Sequence, residues 1–167
     1  LATGKLNLAQ TTSVTPGEGP RHFDVHPNGK NAYLINEIGN TVNAYNYDAA
    51  TGALTETQSL TTLPSEFTDI HVSPDGKFVY GSNRGHDSIA IFAIGEDGTL
   101  TSVGQETTGG KNPRNFALDP AGNFLLAANQ DTNNIVTFRV NKENGTLEKT
   151  GAEVEVPRPV CIKFLQK

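Results

Sequence analysis

Three runs of the same character recur along the chain. Thr41-Val42-Asn43-Ala44-Tyr45, Ser88-Ile89-Ala90-Ile91-Phe92 and Asn134-Ile135-Val136-Thr137-Phe138 are rich in β-branched and aromatic residues and partly alternate between apolar and polar. Such residues suit a pleated, half-buried surface and predict strands. No stretch sustains the 3.6-residue period of an amphipathic helix.

These runs belong to a longer repeat. Pro27, Pro74 and Pro120 lie 47 and 46 residues apart. Each is followed by a glycine (Gly29, Gly76, Gly122) and then by an asparagine (Asn36, Asn83, Asn129). Gly-x-Leu recurs at 52–54, 98–100 and 145–147, with a fourth copy at Gly4-Lys5-Leu6. By length alone the period suits an α-solenoid as well as a β-propeller, whose repeats run to about 40–50 residues. The strand-type runs, and the Pro-x-Gly turns that interrupt each repeat, decide for the propeller.

Each repeat reads as four antiparallel strands, a to d. Strand a covers Phe23–His26, Ile70–Ser73 or Phe116–Asp119. Strand b follows Pro-x-Gly, as at Ala32–Asn36, strand c is the alternating run, and strand d follows Gly-x-Leu, as at Leu54–Leu60. An extra strand d is expected near Leu6–Val14, and an extra strand a at Val160–Phe164. The predicted fold is all-β: the outer strand of a preceding blade (1–18), three blades (19–64, 65–110, 111–156) and a closing inner strand (157–167). Propellers close with about 4–8 blades. Three blades and two strands therefore need a partner, either a missing N-terminal half or a second copy of the chain.

Composition narrows the function. Net charge is −5 and no Lys/Arg cluster occurs, so nucleic acid and anionic membrane are not expected partners. No apolar run approaches the ~20 residues of a membrane span. The single cysteine, Cys161, lies in Val160-Cys161-Ile162 and reads as a small buried residue. Leu1-Ala2-Thr3-Gly4 has no signal-peptide character, and a cytoplasmic location is expected. The chain lacks methionine altogether, so Leu1 does not read as the gene's own start. Asn144-Gly145-Thr146 fits a glycosylation sequon but coincides with a predicted turn.

Strand parity sorts the loops onto two faces. One face carries the tight turns, such as Pro27-Asn28-Gly29 and Pro74-Asp75-Gly76. The other gathers the d-to-a and b-to-c loops, with Gly19-Pro20-Arg21-His22, Asn36-Glu37, Asn83-Arg84-Gly85-His86-Asp87 and Asn112-Pro113-Arg114-Asn115. Arginine, histidine and carboxylate thus converge on one rim beside the central channel, as in concave ligand sites. Asn36, Asn83 and Asn129 share one repeat position and suit turn groups. Glu37, Arg84 and Gln130 share the next but differ in chemistry, which points beyond folding. Arg21 and Arg114 suit either anion binding or pairing with carboxylates. His22 suits proton transfer or a structural hydrogen bond, and His86 suits a solvated turn. No Gly-x-Ser-x-Gly elbow, metal-ligand spacing, P-loop or Gly-x-Gly-x-x-Gly is present, so no cofactor and no metal are expected.

Several of these segments resemble a known family. They are Gly-Pro-Arg-His-Phe-x-x-His-Pro-Asn-Gly-Lys (19–30), Asn-Glu (36–37), 73–89, Asn-Pro-Arg-Asn-Phe (112–116) and Pro-Val-Cys-Ile-Lys-Phe (159–164). They are similar to the lactonase family of seven-bladed propellers, which includes 6-phosphogluconolactonases and carboxy-cis,cis-muconate cyclases. The resemblance implies that the chain is the C-terminal half of such a ring, with a lactone or organic acid as small-molecule ligand. It implies a sugar-lactone hydrolase; a lactone-forming cyclase and a non-catalytic binding propeller are the alternatives. The same resemblance implies a site of Arg21, His22, Glu37, Arg84 and Arg114; His22, Glu37 and Arg84 are expected to be catalytic, and Arg21, Arg114, His86 and Asn83 to bind substrate. The arginines would hold an anion and a developing oxyanion, and His22 or Glu37 would move the proton. The segment Glu66-Phe67-Thr68-Asp69 is tighter than in many family members.

Overall fold

A computed structural model describes residues 4–5, 8–61 and 66–165. Twelve strands form three four-stranded antiparallel sheets, each a meander in chain order. The first sheet holds β1 (Pro20–Val25), β2 (Asn31–Asn36), β3 (Thr41–Asp48) and β4 (Ala53–Thr61). The second holds β5 (Glu66–Val72), β6 (Phe78–Arg84), β7 (Ser88–Ile94) and β8 (Leu100–Thr107). The third holds β9 (Pro113–Leu118), β10 (Phe124–Asn129), β11 (Asn134–Val140) and β12 (Leu147–Glu155). Strands β1, β5 and β9 lie side by side as the inner strands. These are three blades of a propeller.

The middle blade explains why its strands are apolar on both faces. Successive strand residues point to opposite faces. Val79, Ala90 and Phe92 pack into a core shared with the first blade, beside Tyr33, Ile35 and Phe67. Phe78, Tyr80, Ile89 and Ile91 pack into a second core shared with the third blade, beside Phe116 and Phe138. The outer strand β12 lies mostly exposed and carries the polar residues.

Specific hydrogen bonds fix the angle between blades. The buried Tyr33 hydroxyl donates to the Gly98 carbonyl at 3.0 Å, and Tyr80 repeats the bond to Gly145 at 2.9 Å. The acceptors are the glycines of Gly-x-Leu, and Gly145 has φ 78°, where a side chain is strained. Burial, helped by the Asp97 charge, pushes the Tyr33 hydroxyl up to about 12. Gln58 adds a two-way clasp, donating to the Leu100 carbonyl at 3.0 Å and accepting from its amide at 2.7 Å.

Two expectations at the ends need correction. Residues 8–14 and 160–164 form no strand. A strand requires ladder partners, and no described segment pairs with either one. Leu6 of the expected first strand, the 64/65 blade boundary, and Gln166 and Lys167 lie outside the described residues. Cys161 is exposed rather than buried, because it sits on the open side of the last inner strand.

Tyr80→Phe leaves the Gly145 carbonyl without its donor and should cost about 1–3 kcal/mol in urea unfolding. Gly145→Ala should cost more, because a Cβ there also meets the Phe78 ring at 2.5 Å. The folded state keeps Tyr33 protonated above its ordinary value of 10.0. Stability that is full below pH 10.0 should therefore drain as pH rises toward about 12, as followed by circular dichroism.

Candidate functional site

Each inner strand begins with the same irregularity. Pro20 pairs with Asn36 and His22 with Ile35, so Arg21 is left over as a bulge. Thr68 is the bulged residue of β5, and Arg114 that of β9. The d-to-a residues expected in loops therefore lie on strands, which start earlier than their apolar runs. The bulges interlock across blades. Arg21 Nε donates to the Thr68 carbonyl at 2.9 Å, and Thr68 Oγ1 donates to the Pro113 carbonyl at 2.6 Å.

From its bulge Arg21 reaches the b-to-c turn of its own blade, where Nη1 meets Glu37 Oε1 at 2.6 Å. Arg84 of the next blade brings Nη2 to the same oxygen at 2.6 Å. Arg84 also pairs with Glu66, which was not among the candidate residues. Burial alone would push the Glu37 carboxyl up, but hydrogen bonds and charges from Arg21 and Arg84 hold it below its ordinary 4.5. Both guanidinium groups thus favour its ionised form. Its geometry suits anchoring two guanidinium groups.

Beside Arg21 the inner strands wall a cleft of about 680 Å³. Arg21, His22, Asp24, Asp69, His71, Cys161 and Lys163 supply its charged and titratable lining. His22 Nδ1 lies 2.5 Å from Asp69 Oδ1. The other Asp69 oxygen accepts from Asn115 Nδ2 at 2.5 Å, from the Phe116 amide at 3.2 Å and from His71 Nε2 at 3.2 Å. Burial would push the Asp69 carboxyl up, but hydrogen bonds and charges from His71 and His22 hold it below its ordinary 3.8. The His71 ring stands edge-on to Phe116, with centroids 4.9 Å apart.

Arg21, Glu37 and Arg84 thus meet at the rim, and Arg21 and His22 share the cleft wall, while Asn83 and His86 turn to Ser88. Asn83 is fully buried and donates to Ser88 Oγ at 3.3 Å, so it braces the turn. His86 is exposed on the same turn, bonded to Ser88 Oγ at 2.9 Å. Arg114 occupies the third bulge, half-buried, with no hydrogen bond or ion pair to a described residue. Asp69 and His71 were not among the predicted site residues. Their signal was present, because Asp69 holds the repeat position of His22 and Asn115. No cluster of three or more metal-ligating side chains occurs among the described residues. No helix among them is long and apolar enough to cross a membrane.

Four-stranded blades around a polar cleft define a β-propeller with its candidate site at the channel mouth. The family model described as "Lactonase, 7-bladed beta-propeller" matches residues 1–164, and the chain belongs to that family. A 6-phosphogluconolactonase of Bacillus subtilis (strain 168) is 43% identical over 174 aligned residues, covering 100% of this chain and 50% of its own. A 6-phosphogluconolactonase of Formosa agariphila is 47% identical and covers 90% of this chain and 44% of its own. Among solved structures, the periplasmic gluconolactonase PpgL of Pseudomonas aeruginosa superposes with a TM-score of 0.86 at 31% identity, covering 93% of this chain and 45% of that one. The chain spans about half the length of the curated relatives it matches.

Asp69 and Glu37 carry folded-state values below their ordinary 3.8 and 4.5. The stability they supply is full above pH 4.5 and should be lost as pH falls through the depressed values. Acid unfolding followed by tryptophan-free near-UV circular dichroism should show this loss, and Asp69→Asn should flatten it.

Proposed function

We propose that this chain is half of a seven-bladed ring that hydrolyses a sugar lactone, with 6-phosphogluconolactone as substrate. The observation that carries the proposal is the adjacency of Arg21 and His22 on the cleft wall, with Arg21 tied through Glu37 to Arg84. The names of the Bacillus and Formosa relatives support the phosphorylated substrate. The remaining half of the ring is the natural cover for the first inner strand, where Phe23 and Val25 are 44% and 37% exposed. A phosphorylated lactone is charged and membrane-impermeant, which fits a protein working in the cytoplasm.

The chemistry follows from the residue types. His22 takes a proton from water, and the water oxygen bonds to the lactone carbonyl carbon. The ring C–O bond then breaks, and the ring oxygen leaves as an alcohol, taking back the proton that His22 holds. The products are a carboxylate and a hydroxyl on an open chain. Arg21 and Arg84 stabilise the oxyanion that develops on the carbonyl. Arg114, with its charge uncommitted, takes the phosphate. The Arg84–Glu66 pair is exposed on its Glu66 side and is weakened by solvent, so a substrate anion can displace it.

The test is acid release from phosphorylated and unphosphorylated gluconolactone by the full-length gene product. Arg84→Ala should lower kcat/KM by about 10²-fold, the usual cost of an oxyanion donor. Arg114→Ala should raise KM for the phosphorylated lactone alone. Glu37→Gln should lower activity but keep the acid limb of the pH profile. If that limb vanished with Glu37→Gln and survived His22→Gln, Glu37 would be the base. Equal turnover of both lactones would remove the phosphate from the proposal.

A further inference from the structure

The geometry points to Asp69 as the residue that positions His22 for proton transfer, holding the proton on Nδ1 and leaving Nε2 to accept one. This rests on the reading of His22 as the base. The assignment follows from counting donors. Asp69 Oδ1 receives His22 Nδ1 at 2.5 Å and the Ile70 amide at 3.0 Å. Oδ2 receives His71 Nε2, Asn115 Nδ2 and the Phe116 amide. An ionised carboxylate only accepts hydrogen bonds. Each ring nitrogen that faces it must therefore carry a hydrogen.

For neutral His22 the consequence is a single tautomer, with the proton on Nδ1 and the lone pair on Nε2. That ring lines the cleft, and Nε2 has no hydrogen-bond partner among the described residues. The carboxylate is also poised to stabilise the imidazolium formed when Nε2 takes a proton from water. His71 and Asn115 occupy the far oxygen, so Asp69 cannot rotate away from His22 without losing them. Other charged and titratable groups line the same cleft: Arg21 and Asp24 on β1, His71 on β5, and Cys161 and Lys163 in the terminal segment. Asp24 Oδ2 stands 3.9 Å from His71 Nδ1, which extends the chain of titratable groups along the wall.

Asp69→Asn separates positioning from bulk structure. The Asn115 and Phe116 donors would claim the oxygen of the new amide and turn its NH2 toward His22. His22 would then accept at Nδ1 and carry its proton on Nε2, where it cannot act as a base. The experiment uses the full-length protein with 15N-labelled histidine, the His22 signals being assigned by His22→Gln. The expected result is a protonated Nδ1 and an unprotonated Nε2 in the unaltered protein. In Asp69→Asn the proton should move to Nε2, and kcat should fall by about 10²-fold or more with KM unchanged, the scale of a lost general base. A proton on Nε2 in the unaltered protein would overturn the assignment. So would an Asp69→Asn enzyme with full kcat where His22→Gln is inactive. Full activity of His22→Gln would instead remove the base reading itself, and the inference with it. If Asp69→Asn does not fold, the tautomer measured in the unaltered protein decides alone.

Discussion

The carboxylate of Asp69 takes hydrogen bonds from three blades at once. His22 reaches it from β1, His71 and the Ile70 amide from its own β5, and Asn115 and Phe116 from β9. Asp69 is 2% exposed, and a buried charge survives folding only when it is paired and hydrogen-bonded. The three inner strands must therefore stand in one fixed relation. The candidate site inherits that relation, because Arg21 and His22 are neighbours on the strand that Asp69 holds.

A repeat architecture makes this possible by varying chemistry at constant geometry. His22, Asp69 and Asn115 occupy one position in successive blades, and their side chains meet as donor, acceptor and donor. The series continues when Asn115 Oδ1 accepts the Ile162 amide at 2.7 Å. The bulge position behaves likewise. Arginine stands there in the first and third blades, and Thr68 stitches the rim in the second. Neighbouring blades thus bond through residues about one repeat apart, as in Arg21 with Thr68 and Glu37 with Arg84.

The ion network at the rim is nearly balanced, with two guanidinium groups facing Glu37 and Glu66. Glu37 is the fixed member, since both arginines share its Oε1. Glu66 is the loose one, with its side chain 60% exposed. Such a network keeps both guanidinium groups oriented through Glu37 and leaves the Glu66 contact open to solvent.

The strand content, the repeat period and the face on which Arg21, His22, Glu37 and Arg84 converge were legible in the order of residues. Those follow from local chemistry: strand-type runs, turn residues and strand parity. It could not show that Asn83 turns inward to Ser88, that His86 stays on an outer turn, or that Cys161 is exposed. Nor could it set where the inner strands begin, because a bulge adds a residue without leaving an apolar pattern. The partnership of Asp69 with His22, and of Arg84 with both Glu37 and Glu66, belongs to the tertiary structure alone. Those contacts cross between blades, and only the packing of one sheet on the next sets the distance and angle at which they meet.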